Sequence, residues 1–129
     1  MLKYSLIFCF LFTLVTFSIK ADASKYAYYG FQPDIVTNYT AVKKKMGYVR
    51  LTVELMVDGE NLTIVEHHAP LLRDAIINII GQQVEAKVKS MKGRAEIQLK
   101  CEEQVKALLV KETGQPLIKK LLFTQWLDN

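Results

Sequence analysis

The two histidines of the chain, His67 and His68, are the side chains best suited to metal or acid–base chemistry. A zinc hydrolase places two histidines four residues apart on one face of a helix and adds a third ligand from elsewhere. Adjacent helical residues point about 100° apart, so these two rings do not converge on one ion. Glu66 or Asp74 could add one carboxylate, but no third histidine completes a site. The spacing favours a capping or packing role, with a small metal-dependent hydrolase as the enzyme alternative.

Nucleophilic catalysis has no better support in the sequence. Ser24 and Ser90 are the only serines after the apolar N-terminus, and neither lies in a strand-to-helix turn. The glycines occur singly, so no glycine-rich loop is present to bind phosphate. Cys9 lies in the apolar N-terminus, which leaves Cys101 as a buried core residue or as one half of an intermolecular disulfide. We therefore predict no catalytic residue, no metal and no cofactor.

The N-terminus has the features of an export signal. Lys3 precedes an uncharged apolar stretch, residues 5–19, and Ala21 and Ala23 stand where signal peptidase requires small residues. The stretch is shorter than the ~20 residues that usually cross a bilayer as a helix, which favours a cleaved leader over a retained short anchor. In both cases residues 24–129 would form a single domain on the far side of a membrane.

The charge of the chain argues against a nucleic-acid partner. The formal net charge is only +4 and the basic residues are dispersed, whereas nucleic-acid binding requires a basic patch or stripe. The one basic run, residues 43–45, is interpreted as a solvated loop, or alternatively as a contact with anionic lipid headgroups.

The clearest strand signal lies between Tyr48 and Val57, where apolar and polar residues alternate. A last strand is predicted over 117–127, with Leu121 and Phe123 on one side, and it should pair with the first. Residues 35–40 are predicted as a short strand. Residues 24–30 hold three tyrosines and are expected to be a tail, or to lie at the membrane interface if the leader is retained.

The rest of the chain has helical periodicity. Apolar residues recur every three or four positions from Leu62 to Ile80, and Pro70 requires that the helix begin or bend near it. A second helical pattern ends at Gly93, and a third follows until Gly114 and Pro116 stop it. The solvated face of this last helix is expected to carry Glu102, Glu103, Lys106 and Lys111. The predicted fold is α+β, a small sheet covered on one face by helices.

The segment HAPLLRDAII at 68–77, the preceding strand YVRLTVEL and the closing segment IKKLLFTQW together resemble the FliL family of flagellar basal-body-associated proteins. The resemblance spans roughly residues 34–126. In that family a strand leads into a helix with His-x-Pro-x-Ile-Arg-Asp-like residues, and a final strand ends in Phe-Thr. The residues that match this pattern, expected to act in structure or interaction, are His68, Pro70, Leu72, Arg73, Asp74, Phe123 and Thr124.

This resemblance implies a fold similar to the stomatin-like (SPFH) domain and a non-enzymatic role in the periplasm. Members of the family are thought to support the MotA/MotB stator units and so flagellar rotation. The expected partners are these stator proteins, the basal body and further copies of the chain. Family members usually have a longer start and a full transmembrane helix, so this chain is expected to be a short, secreted variant. The alternative is a periplasmic binding or chaperone-like module unrelated to flagella.

Overall fold

A computed structural model describes residues 25–41 and 46–129 of the chain. The predictions for Ala21, Ala23 and the basic run at 43–45 therefore lie outside the described residues. The strands are β1 (Tyr26–Gly30), β2 (Ile35–Tyr39), β3 (Gly47–Asp58) and β4 (Ile118–Asp128). A 3₁₀ turn (Gly59–Asn61) leads into four helices, α1 (Leu62–His67), α2 (Ala69–Gly81), α3 (Glu85–Val88) and α4 (Met91–Thr113).

The sheet is antiparallel and centred on β3. β4 runs along one edge of β3, from Asp128 opposite Val49 to Ile118 opposite Val57, so the predicted pairing of these two strands is confirmed. β1 pairs with residues 54–58 of β3 and β2 with residues 47–51. Since most of these positions also pair with β4, β1 and β2 must share the opposite edge. They are two halves of one edge strand, interrupted at residues 31–34.

The strand β1 differs from the sequence prediction, which treated residues 24–30 as a tail. Ala27 and Tyr29 stand opposite Val57 and Leu55 and pack against the core, whereas Tyr26 and Tyr28 are exposed. Five residues rich in tyrosine give only a weak signal of alternation. The strand forms because the edge of β3 beyond β2 offers it unpaired backbone groups.

Helices cover one face of the sheet, and the predicted α+β class is confirmed. The alternate residues of β3 from Val49 to Val57 are almost fully buried and face the helices, as their periodicity predicted. α2 packs over β2 and against α4, while α4 also contacts β4. Among the described residues, no helix combines the length and the apolar character needed to span a membrane.

The helix boundaries follow capping and packing rules. Pro70 lies in the first turn of α2, where its missing N–H costs no hydrogen bond, and α2 ends at Gly81. The boundary between α3 and α4 falls at Ser90 and not at Gly93 as predicted, because the Ser90 Oγ accepts a hydrogen bond from the Gly93 backbone N–H at 2.9 Å and caps α4. Gly114 ends α4 with a positive φ of 86°.

Two irregularities in the pairing of β4 with β3 decide which side chains of β4 face the helices. As β4 is followed from its N-terminal end, the register shifts once past Val57 and again past Val53, leaving Lys119 and Thr124 as extra residues on β4. Leu121 and Phe123 share one side of the strand, as predicted, and because they lie opposite Leu55 and Val53 that side faces the helices. Beyond the second shift Trp126 faces the same way, opposite Leu51. A bulge of this kind re-aims the side chains that follow it.

Candidate functional site

Arg73 connects helix α2 to the interruption in the edge strand. Its Nη1 donates a hydrogen bond to the carbonyl oxygen of Pro33 at 2.7 Å, and its Nη2 donates to that of Asp34 at 3.0 Å. These carbonyls stand where the strand leaves the sheet ladder and need other partners. The planar guanidinium can serve two acceptors at once, which a lysine at this position cannot.

The opposite side of the same interruption is held by the carboxylate of Asp34. Its Oδ2 lies 2.9 Å from the Nε of Arg50, and its Oδ1 accepts a hydrogen bond from the Thr52 hydroxyl at 3.1 Å. Arg50 and Thr52 lie on the face of β3 that the helices leave open. Residues 31–34 are therefore fixed from both faces of the sheet, by Arg73 on one and by β3 on the other.

A shallow groove of about 290 Å³ lies beside this interruption, between the edge strand and the start of α2. The rings of Tyr29 and Phe31 meet edge to face there, with centroids 5.2 Å apart. Apart from these rings, the groove is lined by Gln32, Glu66, Ala69, Pro70 and Arg73. Such a shallow groove, with its guanidinium already bound to carbonyls, suits contact with a protein surface better than chemistry on a small substrate.

The other residues of the family pattern in the α1–α2 region make contacts within the protein itself. The His68 Nδ1 lies 2.8 Å from the carbonyl oxygen of Ile64, at the junction of α1 and α2. Leu72 is fully buried in the core. Asp74 is exposed, and its Oδ2 accepts one long hydrogen bond from the Asn78 amide at 3.4 Å. The structure brings Pro70 and Arg73 into one groove and does not bring Asp74 there.

The two pattern residues in β4 lie across β3 from the interruption that Arg73 holds, on the opposite edge of the sheet. Phe123 packs against the core and against Trp126, with ring centroids 5.4 Å apart. Thr124 is the extra residue of the bulge, and its hydroxyl donates to the Thr52 carbonyl at 3.3 Å. Phe123 therefore contributes to the core, and Thr124 ties the bulge to β3.

The residues considered for chemistry do not form a site within the described part of the chain. The rings of His67 and His68 stand edge to face, with centroids 5.2 Å apart, and both are at least partly exposed. No group of three or more histidine, cysteine or acidic side chains in residues 25–41 and 46–129 is placed to hold a metal ion. Cys101 is unpaired and fully buried, and that burial raises the pKa of its thiol to about 12.

Sequence reasoning missed a second cluster, between α4 and β4. The Arg94 guanidinium lies 5.3 Å from the centre of the Trp126 ring, and its Nη2 is 2.7 Å from the Asp128 Oδ1. Met91, Gln98 and Phe123 complete a shallow groove of about 250 Å³ there. The members come from two elements far apart in the sequence, so no local spacing could have indicated them.

The face of the sheet that the helices leave open carries exposed apolar side chains. On it, Tyr28 stands opposite Met56, and Val36 stands opposite Arg50, which in turn stands opposite Leu127. Tyr28, Val36, Tyr48 and Leu127 each expose about half of their surface. Exposed apolar groups gathered on one sheet face are typical of surfaces that contact other proteins.

Comparison with protein families decides which family this fold and these residues represent. The model of the flagellar basal body-associated protein FliL matches residues 28–127. The chain belongs to the FliL family. The family region begins inside β1 and ends inside β4, so it contains the groove at Arg73, the open sheet face and all four helices. No curated protein sequence matched the chain in a separate comparison.

Membership of the FliL family confirms the resemblance that the segment at 68–77 indicated, and extends it to most of β1. It implies a role associated with the flagellar basal body. Within this FliL-family chain, Leu72 contributes to the core and Arg73 fixes the interrupted edge strand.

Proposed function

We propose that this chain is a non-enzymatic component of the flagellar basal body that supports the stator units, MotA/MotB, and through them flagellar rotation. The observation that carries the proposal is the family match over residues 28–127. It is supported by the exposed apolar side chains on the open sheet face, which suit association with other proteins or with further copies of the chain.

The proposed location is the periplasmic face of the inner membrane, at the basal body. Its basis is the N-terminal sequence, in which Lys3, the apolar stretch and Ala21 to Ala23 together resemble a cleavable leader. The intact mass of the protein isolated from its native host tests this proposal. A chain beginning at Ser24 supports cleavage, whereas a chain that retains residues 1–23 in the membrane fraction would replace it with an anchored form.

Deletion of the gene tests the proposed function. A component that supports the stators acts on rotation after the flagellum has been built. We therefore expect flagella to be present by electron microscopy, and swimming and swarming to be reduced, most strongly in viscous medium. The wild-type gene should restore motility.

The matched control is the double variant His67→Ala, His68→Ala, which removes both imidazoles. Provided that it remains folded, it should restore motility as well as the wild type does, because the proposal assigns no catalysis to them. Loss of the filament, or motility unchanged at every viscosity, would contradict the proposal. The second of these results would favour a periplasmic binding or chaperone-like module unrelated to flagella.

A further inference from the structure

The hydrogen-bond pattern of β3 determines which residues of β4 turn their backbone groups to the outer edge, away from β3. The carbonyl of Val53 accepts a hydrogen bond from the Phe31 N–H at 3.1 Å, so the backbone groups of Val53 point away from β4. Direction alternates along a strand, so Leu55 and Leu51 point the same way. The residues of β4 opposite these positions must turn their N–H and C=O groups outward, away from β3. They are Leu121, Phe123 and Trp126.

Helix α4 supplies hydrogen-bond partners to this edge at Leu121. The Glu102 Oε2 accepts from the Leu121 N–H at 3.0 Å, and the Gln98 Nε2 donates to the Leu121 carbonyl at 2.9 Å. Gln98 and Glu102 lie four residues apart, on the same face of α4. One acceptor and one donor therefore occupy the two backbone groups that a neighbouring strand would use.

Glu102 is itself held in position and largely screened from water. Its Oε1 lies 2.9 Å from the Lys106 Nζ, one turn further along α4, and its side chain is only 17% exposed. This placement corrects the expectation that Glu102 lies on the solvated face of α4 with Glu103. It turns towards β4 because the N–H of Leu121 offers a donor that the strand pairing leaves free.

The rest of the edge has further features that oppose strand addition. Lys119 and Thr124 are bulged residues on either side of Leu121, and bulges interrupt a continuous ladder. Lys119 and Lys120 are exposed charged residues at one end of the strand. Bulges and edge lysines are the means by which natural sheets avoid edge-to-edge pairing.

We propose that Gln98 and Glu102 form an edge guard, a pair of side chains that prevents the outer edge of β4 from pairing with a strand of another chain. The guard bonds the N–H and the C=O of Leu121. It thereby interrupts a row of backbone groups that another strand could otherwise pair with along most of β4. Contacts between copies, or with partners, are thereby directed to other surfaces. The proposal does not depend on which partner the chain supports.

The test compares the full protein, purified as its host makes it, with the variant Gln98→Ala, Glu102→Ala in sedimentation velocity over a range of concentrations. We expect the variant to associate beyond the wild-type state at a concentration at least tenfold lower than the wild type does. Hydrogen exchange should then show that the amides of Phe123 and Trp126 become protected as association proceeds, because these amides would bond to the added strand.

The matched control is Glu103→Ala, Gln104→Ala, which removes the same two residue types from exposed positions of the same helix. It should associate as the wild type does. If the first variant fails to fold, Gln98→Glu keeps the side-chain length but places an acceptor opposite the Leu121 carbonyl. A folded guard variant that associates no more than the wild type would overturn the proposal, as would association that leaves the exchange of Phe123 and Trp126 unchanged.

Discussion

Two arginines at the interruption of the edge strand bind different kinds of acceptor. Arg73 donates two hydrogen bonds to backbone carbonyls that the sheet leaves unpaired. Arg50 makes an ion pair with Asp34, but its side chain is 59% exposed. Water can replace the contact of Arg50 readily, whereas replacing those of Arg73 would leave carbonyls without a fixed partner.

We expect Arg73→Ala to lower the free energy of unfolding by about 1.5–3 kcal/mol, the range for hydrogen bonds that involve a charged group. Arg50→Ala is the matched control and should lower it by less than about 1 kcal/mol, as exposed ion pairs do. Urea denaturation of the two variants provides the comparison. An equal loss in both would mean that the interruption does not need Arg73.

Leu72 and His67 test which face of the α1–α2 region is buried. Leu72 has no exposed surface and lies in the core, whereas His67 is exposed. Leu72→Ala should therefore cost roughly 2–5 kcal/mol, through lost burial and the cavity it leaves. His67→Ala should change the stability by less than about 0.5 kcal/mol. The order of the two thermal melting temperatures decides the point, and the reverse order would contradict the assigned core.

At the scale of elements, the packing of α3 against the start of α4 depends on a missing side chain. Gly93 is buried, and a methyl group built on it would overlap the backbone of Lys87 in α3. Alanine favours a helix interior over glycine by about 1 kcal/mol. The overlap outweighs this preference, because the atoms it meets belong to the backbone of α3 and cannot rotate aside as a flexible side chain can.

We expect Gly93→Ala to destabilise the protein by about 1–3 kcal/mol, the usual range for overpacking. Gly30→Ala is the control, since the nearest atom to its added methyl is the Glu54 Cγ at 3.9 Å. Chemical denaturation of both variants measures the effect. A Gly93→Ala variant more stable than the wild type would show that the helix propensity of alanine outweighs the overlap and that α3 moves to relieve it.

The contact between α4 and β4 at Glu102 should depend on pH. Burial disfavours the ionised form, but the hydrogen bond from Leu121 and the ammonium groups of Lys106 and Lys120 outweigh it, so the pKa of the Glu102 carboxyl is lowered. A carboxyl whose pKa is lower in the folded than in the unfolded state stabilises the fold fully above its unfolded pKa of about 4.3. That contribution is lost as the pH falls through the folded-state pKa.

The stability difference between the wild type and Glu102→Gln should therefore be largest near neutral pH and shrink below about pH 4. Denaturation curves recorded from pH 7 to pH 3 measure this difference. Glu103→Gln controls for the loss of a negative charge on the same helix. A gap that widens towards acid would contradict the assigned direction.

The sequence predicted well those elements whose own residue pattern shows which face is buried. The alternation of β3 and the spacing of Leu72 and Ile76 on α2 each report one buried face, and both predictions are confirmed. The strand β1 and the guard residue Glu102 were missed for a common reason. Whether β1 forms, and which way Glu102 turns, depends on backbone groups that strands distant in the sequence leave free. The periodicity of a segment carries no information about those groups.

The same limit applies to the candidate site. The pattern at 68–77 drew attention to Arg73, but its acceptors, Pro33 and Asp34, lie some forty residues earlier and have no motif of their own. Arg94, Trp126 and Asp128 likewise come together only through the bulge in β4. Such contacts require the register of the sheet, which one sequence does not reveal.

At the scale of the whole molecule, the chain combines a closed face and an open face. The helices seal one face of the sheet, and the guard blocks one edge, which leaves the open face with Tyr28, Val36 and Leu127 for association. This division suits a protein that supports other components of the flagellar basal body. We propose that this support reaches the stators and becomes important when the motor works under load.

The torque of single motors tests that claim most directly. Beads of different sizes attached to flagellar stubs allow rotation to be recorded at high and low load in the deletion strain and in the restored strain. We predict reduced torque at high load, little change near zero load, and full recovery with the wild-type gene. Equal torque in both strains at every load would contradict the account.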